Sequence, residues 1–326
     1  MVRPTGKSRQ LSGGLYLGYV SAEEHVLVDM RLFLPKEWTK NKQRREKAGV
    51  PKHVRYRTRH QLCFEMLDQH GKQLPHSWIT GDDEMGRPYS FRRRLDDRNE
   101  RYLLAVPSNT TIRDLDADEP VYSGHGRPPK RPWQRVDHWV ASLPKNAWTT
   151  IDVRDGSKGP LVIDIVKRRV VGRNHRRQEG HQEVLVVIRY RDRDNRRVVK
   201  TDYYLSNASA DVELAEFARV AKAEHRIEEC IQRAKSEAGL ADYEVRHWKG
   251  WHHHQTLSLL ATWFLVREAR RGKKMDSCDH GATNPRRNFR HPAHPARMRY
   301  TLSNPTRTPP TTGTQRTGAP VPLEAA

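Results

Sequence analysis

Apolar residues switch period repeatedly between residues 14 and 108. The run "GLYLGYVSAEEHVLVDMRLFL" (14–34) alternates around a polar Ser-Ala-Glu-Glu-His turn, the pattern of a β-hairpin. In "RHQLCFEMLDQHG" (59–71), Leu62, Cys63, Met66 and Leu67 recur at helical spacing, and Gly71 closes the segment. "SWITGDD" (77–83) reads as a short strand, "RPYSFRRRLDDRNE" as a basic helix that Pro88 can start, and "RYLLAVPS" (101–108) as another strand. The lysine- and arginine-rich stretch 36–57 reads as a loop with some helix. Hairpin, helix, strand, helix, strand predicts an α/β core, because elements interleaved in this way bury their apolar faces as layers.

The character then changes. Residues 112–147 are polar, proline-containing and punctuated by Trp133, Trp139 and Trp148 just beyond. From 149 to 205 the runs "TTIDV", "PLVIDIVKRRVVG", "QEVLVVIRYRD" and "RRVVKTDYYLS" alternate as strands, which predicts a β-rich, basic insertion in the core. Residues 211–238 and 251–269 return to helix. Beyond about Arg270 the chain is rich in Pro, Thr and Arg and nearly empty of large aliphatics. Such a segment buries too little surface to offset its chain entropy, and it reads as disordered. The expected organisation is a first part of the core over 1–111, the β-rich insertion over 112–207, a helical completion over 208–271 and a tail over 272–326.

With 60 Lys and Arg against 39 Asp and Glu, the formal net charge is +21. That surplus suits a polyanion, since each phosphate neutralised releases a counterion. Cys63, Cys230 and Cys278 are far apart and form no C-x-x-C pattern, so neither a disulfide framework nor a zinc cage is expected. No basic-then-apolar leader opens the sequence, and the most apolar run, from Leu257, is shorter than the ~18–20 residues that span a bilayer. A soluble protein of a reducing cytoplasm is the expectation.

The segment "RIEECIQRAKSEAGL" (226–240) holds the most informative carboxylates. At about 100° per residue, Val220, Ala223, Ile227, Cys230, Ile231, Ala234 and Ala238 form one apolar stripe. Glu228 lies at its edge, and Lys235 returns to nearly the same angle. Glu229 points away between Arg226 and Arg233, where helical pairing accounts for it as surface charge. Glu228 is therefore the better metal-ligand candidate. Asp82 closes a predicted strand, and the carboxyl end of a strand in an open α/β sheet is where ligand sites form. A carboxylate there suits a hard cation, although Asp83 and Glu84 compete for the role and aspartates beside glycine are common in turns.

The blocks "HSWITGDDEMGRPYSFRRRLDDRNERYLLAVPSNT" and "EHRIEECIQRAKSEAGLADYEVRHWKGWHHHQTLSLLATWFL", with "MRLFLPKEW", resemble the hallmark blocks of bacterial insertion-sequence transposases with a DDE catalytic core. The resemblance covers roughly residues 3–275. It implies a ribonuclease H-like mixed sheet flanked by helices, with a β-rich insertion between the second aspartate and the glutamate. It further implies two-metal cleavage and strand transfer of DNA phosphodiesters with Mg²⁺, for which Mn²⁺ can substitute. Residue by residue, Asp82 matches the second catalytic aspartate, Glu228 the glutamate and Lys235 a DNA-contacting lysine. Both carboxylates would be metal ligands.

Departures accompany the match. Where the family often places a tyrosine and an arginine before the glutamate, this chain has Ala221 and Glu224, with Lys222 and Arg226 as substitutes for contacting DNA. No aspartate precedes the hairpin, where the family's first catalytic aspartate belongs, and Asp29 on the next strand is read as structural or exposed. By this resemblance the chain is expected to be truncated at its amino-terminal side and altered beyond "RRGKKM", in the manner of a frameshift. Histidines 252–254 point three ways on a helix and read as packing or surface, not as a metal site. The expected partners are DNA, at element ends and target, and a second copy in a homodimer; neither a membrane nor a small-molecule substrate is expected. The alternative reading is a non-catalytic, basic DNA-binding relic that occupies element DNA or inhibits a full-length transposase.

Overall fold

The computed structural model describes residues 13–21, 24–156, 159–192, 197–243, 246–279 and 298–303. Strands β1 (Gly14–Val20) and β2 (His25–Leu32) form the expected antiparallel hairpin. Two short helices follow, α1 (Lys36–Lys40) and α2 (Lys42–Lys47). Helix α3 (Arg59–His70) starts at a capping box: the Thr58 hydroxyl accepts from the Gln61 amide, and the Gln61 side chain accepts from the Thr58 amide. Gly71 does cap its end, but in the right-handed region (φ −56°), so it is not there for left-handed freedom.

Next come β3 (His76–Gly81), the single turn α4 (Asp83–Gly86), α5 (Tyr89–Asp97) with Pro88 at its N-cap, and β4 (Tyr102–Ala105). The segment expected to be an insertion contributes β5 (Thr111–Asp114), β6 (Gln134–Arg135), α6 (Val136–Ser142), and the strands β7 (Thr149–Gly156), β8 (Gly159–Arg173), β9 (Glu179–Arg191) and β10 (Val198–Ser206). Helix α7 (Leu214–Glu237) and helix α8 (Trp248–Asp279) close the core, and β11 (Met298–Ser303) is the last described element.

All strands belong to one mixed sheet, in the order β2-β1-β11-β3-β4-β10-β9-β8-β5-β6, with β7 paired to β8. The insertion is thus continuous with the core: β10 pairs antiparallel with β4, Leu205 opposite Leu104. One face carries α3, α4 and α5, whose Leu62, Met66, Met85 and Phe91 pack on Leu17, Ile79 and Leu104. The other carries α7 and α8. There Phe217 and Val220 pack on Trp78 and Leu103, while Ile227 and Ile231 pack on Tyr16 and Leu27. Fully buried side chains such as Leu17, Met66 and Ile79 contribute about 1.5–3 kcal/mol each. Helix α7 approaches β1 closely at Gly18, where a Cβ would stand 2.3 Å from Ile227 Cδ1.

Two features of the carboxyl-terminal part differ from the expected tail. Helix α8 runs on to Asp279, and Met298–Ser303 is a strand inside the sheet, antiparallel to β1 (Thr301 opposite Gly18) and parallel to β3 (Thr301 opposite Thr80). The remaining tail residues lie outside the described ones. Periodicity missed β11 because its six residues, MRYTLS, stand alone among proline and threonine, and a strand that short is recognisable only from the edges it pairs with.

Candidate functional site

Asp82 follows the last residue of β3 and is the N-cap of α4: its Oδ1 accepts from the amides of Glu84 and Met85, both at 3.2 Å. The chain turns here into α4, which packs directly against β4. Gly86 permits it, since a Cβ would lie 1.9 Å from the Ala105 carbonyl oxygen. The competing carboxylates are engaged nearby, Asp83 with Arg87 at 3.8 Å and Glu84 with Arg59.

Arg92 holds this turn from beneath. Its guanidinium donates to the Gly86 carbonyl (2.5 Å) and to both carboxylate oxygens of Glu183 on β9 (2.7 and 3.2 Å), and both side chains are buried. Glu183 also accepts from the Tyr102 hydroxyl at 2.6 Å, and His181 Nε2 lies 3.1 Å from that hydroxyl. Burial opposes the Arg92 charge, but Glu183 more than compensates and holds its pKa above the ordinary arginine value. The turn that carries Asp82 is therefore tied directly to the insertion.

Across the sheet, α7 brings a carboxylate that sequence reasoning recorded only as a departure. Glu224 is partly buried one turn before Glu228, and its pKa is pushed well above the usual carboxylate range. Burial is the first cause, followed by the neighbouring charges of Asp82, Glu228 and Asp202. Its placement was legible in principle, since residues four apart share a helical face. Glu228 lies farther out, with its side chain 63% exposed and an ion pair to His225 Nδ1 at 3.5 Å. That imidazole is the first cause of its lowered pKa. Lys200 on β10 completes the group, bonded to Asp202 at 2.8 Å; burial works against its charge, but Asp202, Glu224 and Glu228 hold its pKa high.

Glu229 is similarly exposed and pairs with the other nitrogen of His225 at 3.4 Å. The two glutamates nevertheless face different neighbours: Glu228 acts on Lys200 and Glu224, and Glu229 on His25 at the start of β2. Asp82, Glu228 and Asp202 thus lie near enough to Glu224 to act on its charge. Carboxylate oxygens of this kind suit a hard divalent cation. Among the described residues, no group of three or more His, Cys, Asp or Glu is already disposed to hold a metal ion.

The basic candidates are spread along α7. Arg226 donates to the Ser21 carbonyl at 3.0 Å, which ties the helix to the end of β1. Lys222 is partly buried, and burial lowers the pKa of Lys235. Asp29 is structural, paired with Arg31 at 2.6 Å and His70 at 2.9 Å. The histidines diverge: His252 packs against Trp248 with its ring tilted, His253 is exposed, and His254 meets the Gly239 carbonyl. Trp139 packs the insertion and donates to Asp114. Trp133 is partly exposed between Arg113 and Arg173, whose guanidinium carbons stand 4.4 and 4.8 Å from its ring centre, and Arg189 covers Trp148 at 3.8 Å. Cys63 and Cys230 are buried free thiols; the Cys278 side chain lies outside the described ones.

A mixed sheet flanked by helices, with a carboxylate at the end of a central strand and further carboxylates on the helix across it, is consistent with the ribonuclease H-like fold of DDE nucleases. Residues 3–160 match the family described as DDE superfamily endonuclease, a stretch that includes Asp82 and stops short of Glu228. Over that stretch the chain is similar to a DDE transposase-like nuclease, a class that acts on DNA and generally uses divalent metal ions. No curated protein matches the chain. Among the described residues, no helix is long and apolar enough to cross a membrane.

Proposed function

We propose that the chain is a transposase-type nuclease of insertion-sequence character, acting on DNA by cleavage and strand transfer. The observation that carries this reading is the family match across β1 to β7, with Asp82 placed at the carboxyl end of β3. Asp82 and Glu228 would hold Mg²⁺, or Mn²⁺ in its place. A bound metal pair would supply an activated water and stabilise the leaving oxygen. Lys235, Lys222 and Arg226 would meet DNA phosphates, and the Glu228 side chain would turn from His225 towards Asp82 when the cation enters.

A second reading has its own support. The strand beside β3 carries the sequence MRYTLS, without a carboxylate, so Asp82 gains no acidic neighbour from it. This favours a DNA-binding protein with impaired or absent chemistry.

Nicking of supercoiled plasmid in Mg²⁺ or Mn²⁺ against EDTA separates the two. The nuclease reading expects metal-dependent nicking that Asp82→Ala and Glu228→Ala abolish and Glu229→Ala leaves nearly intact. Equal losses in Glu228→Ala and Glu229→Ala would remove Glu228 from the site. Tight DNA binding without nicking under any metal would leave the non-catalytic reading.

A further inference from the structure

The centre of the sheet is built from the two extremities of the described chain. Strand β11 lies between β1 and β3, with five paired positions on each side, Tyr16–Val20 on one and His76–Gly81 on the other. Its neighbours do not depend on it for their other supports. β1 is paired with β2 and β3 with β4, and both helical layers bridge the gap between those pairs. On one face, Leu62 and Met66 of α3 share a cluster with Leu15 and Leu17 of β1 and with Ile79 of β3. On the other, the single helix α7 packs its first half on Trp78 and Leu103 and its second half on Val20 and Leu27.

The helical layers thus grip the flanking strands on either side of the position that β11 fills. Two rows of backbone N–H and C=O groups line such a slot. Buried without a partner, each would cost about 1–3 kcal/mol. An extended segment entering it satisfies both rows at once, which is the physics of strand addition.

We propose that the gap between β1 and β3 is a strand-acceptor site, and that residues 298–303 are its separable donor, docked from the same chain. The remainder of the core folds without the donor and binds it as it would bind a peptide. The eighteen positions between Asp279 and Met298 allow this, because a segment of that length can span roughly 60 Å when extended. The inference is independent of the nuclease reading.

Two variants of the full chain test it. In Thr301→Pro the donor loses a ladder N–H at the position paired with both Gly18 and Thr80. The variant is expected to stay folded and to bind a labelled peptide of residues 296–305 one to one, at least about tenfold more tightly than the wild-type chain, whose slot is filled. A folded variant that ignores the peptide, a wild-type chain that binds it equally well, or a variant that cannot fold would each overturn the proposal. Tyr19→Cys with Tyr300→Cys, in a Cys278→Ser background, joins opposed positions of β1 and β11. A disulfide within the monomer is expected. Absence of that bond, or its formation only between two chains, would overturn docking from the same chain.

Discussion

Glu224 carries the largest electrostatic conflict around the site. Its folded-state pKa is raised, by burial first and by Asp82, Glu228 and Asp202 next. The folded chain therefore binds a proton that the unfolded chain has released, and stability falls as pH rises from the unfolded carboxylate value towards the folded one. Thermal melts in EDTA should show the wild-type chain losing stability as pH rises above the ordinary carboxylate range, relative to Glu224→Gln, in which that loss is absent. Matching pH profiles for the two proteins would show that the carboxyl group is not burdened as described. Arg92 makes the opposite case, a buried charge fully engaged. Arg92→Ala leaves the buried Glu183 carboxylate without its guanidinium, held only by the Tyr102 hydroxyl and the nearby His181, and should cost about 3–5 kcal/mol in urea unfolding. Pairing Arg92→Met with Glu183→Leu should recover part of that loss, because no unpaired charge then remains.

At the scale of the element, α4 shows how little room surrounds the Asp82 turn. Gly86→Ala would drive a methyl group into the Ala105 carbonyl, which is backbone and cannot rotate aside, so β4 or the turn must shift. The expected cost is about 1–3 kcal/mol by denaturant titration, and a change within error would mean that the turn is looser than drawn. Elements of this kind mark the limit of what periodicity reveals. The hairpin, α3, β3, α5, β4, the strands β7 to β10 and α7 were legible, because each has its own apolar period or cap, such as Thr58 before α3 or Pro88 before α5, whereas β5 and β6 were too short to show one. Asp82 was legible from its position after a strand. Glu224 shares a helical face with Glu228, but its significance was not legible, because it comes from Asp82 just after β3 and Asp202 on β10. The Arg92–Glu183 pair joins positions 91 residues apart, and no local pattern announces such a partner.

For the whole molecule, the positive charge has a face to act through. Arg173 is exposed beside Trp133, and Arg113 also lies against that ring. An exposed guanidinium held against an aromatic ring is available to a DNA phosphate. Arg173→Ala should reduce the slope of log affinity against log salt by about 0.9 for duplex DNA, measured by fluorescence anisotropy over a salt series. An unchanged slope would remove Arg173 from the DNA-facing surface.

The position of β11 also governs the order in which the molecule can be completed. The strand at the middle of the sheet is the last described element in the sequence, while its two neighbours belong to the first quarter of the chain. During synthesis, β1 and β3 leave the ribosome some two hundred residues before the strand that joins them. At ~5–20 residues per second, that separation leaves two half-sheets waiting for roughly ten seconds or more with facing edges unpaired. Throughout that interval the growing chain is open to any extended segment that can pair with those edges, including one from a neighbouring nascent copy on the same message.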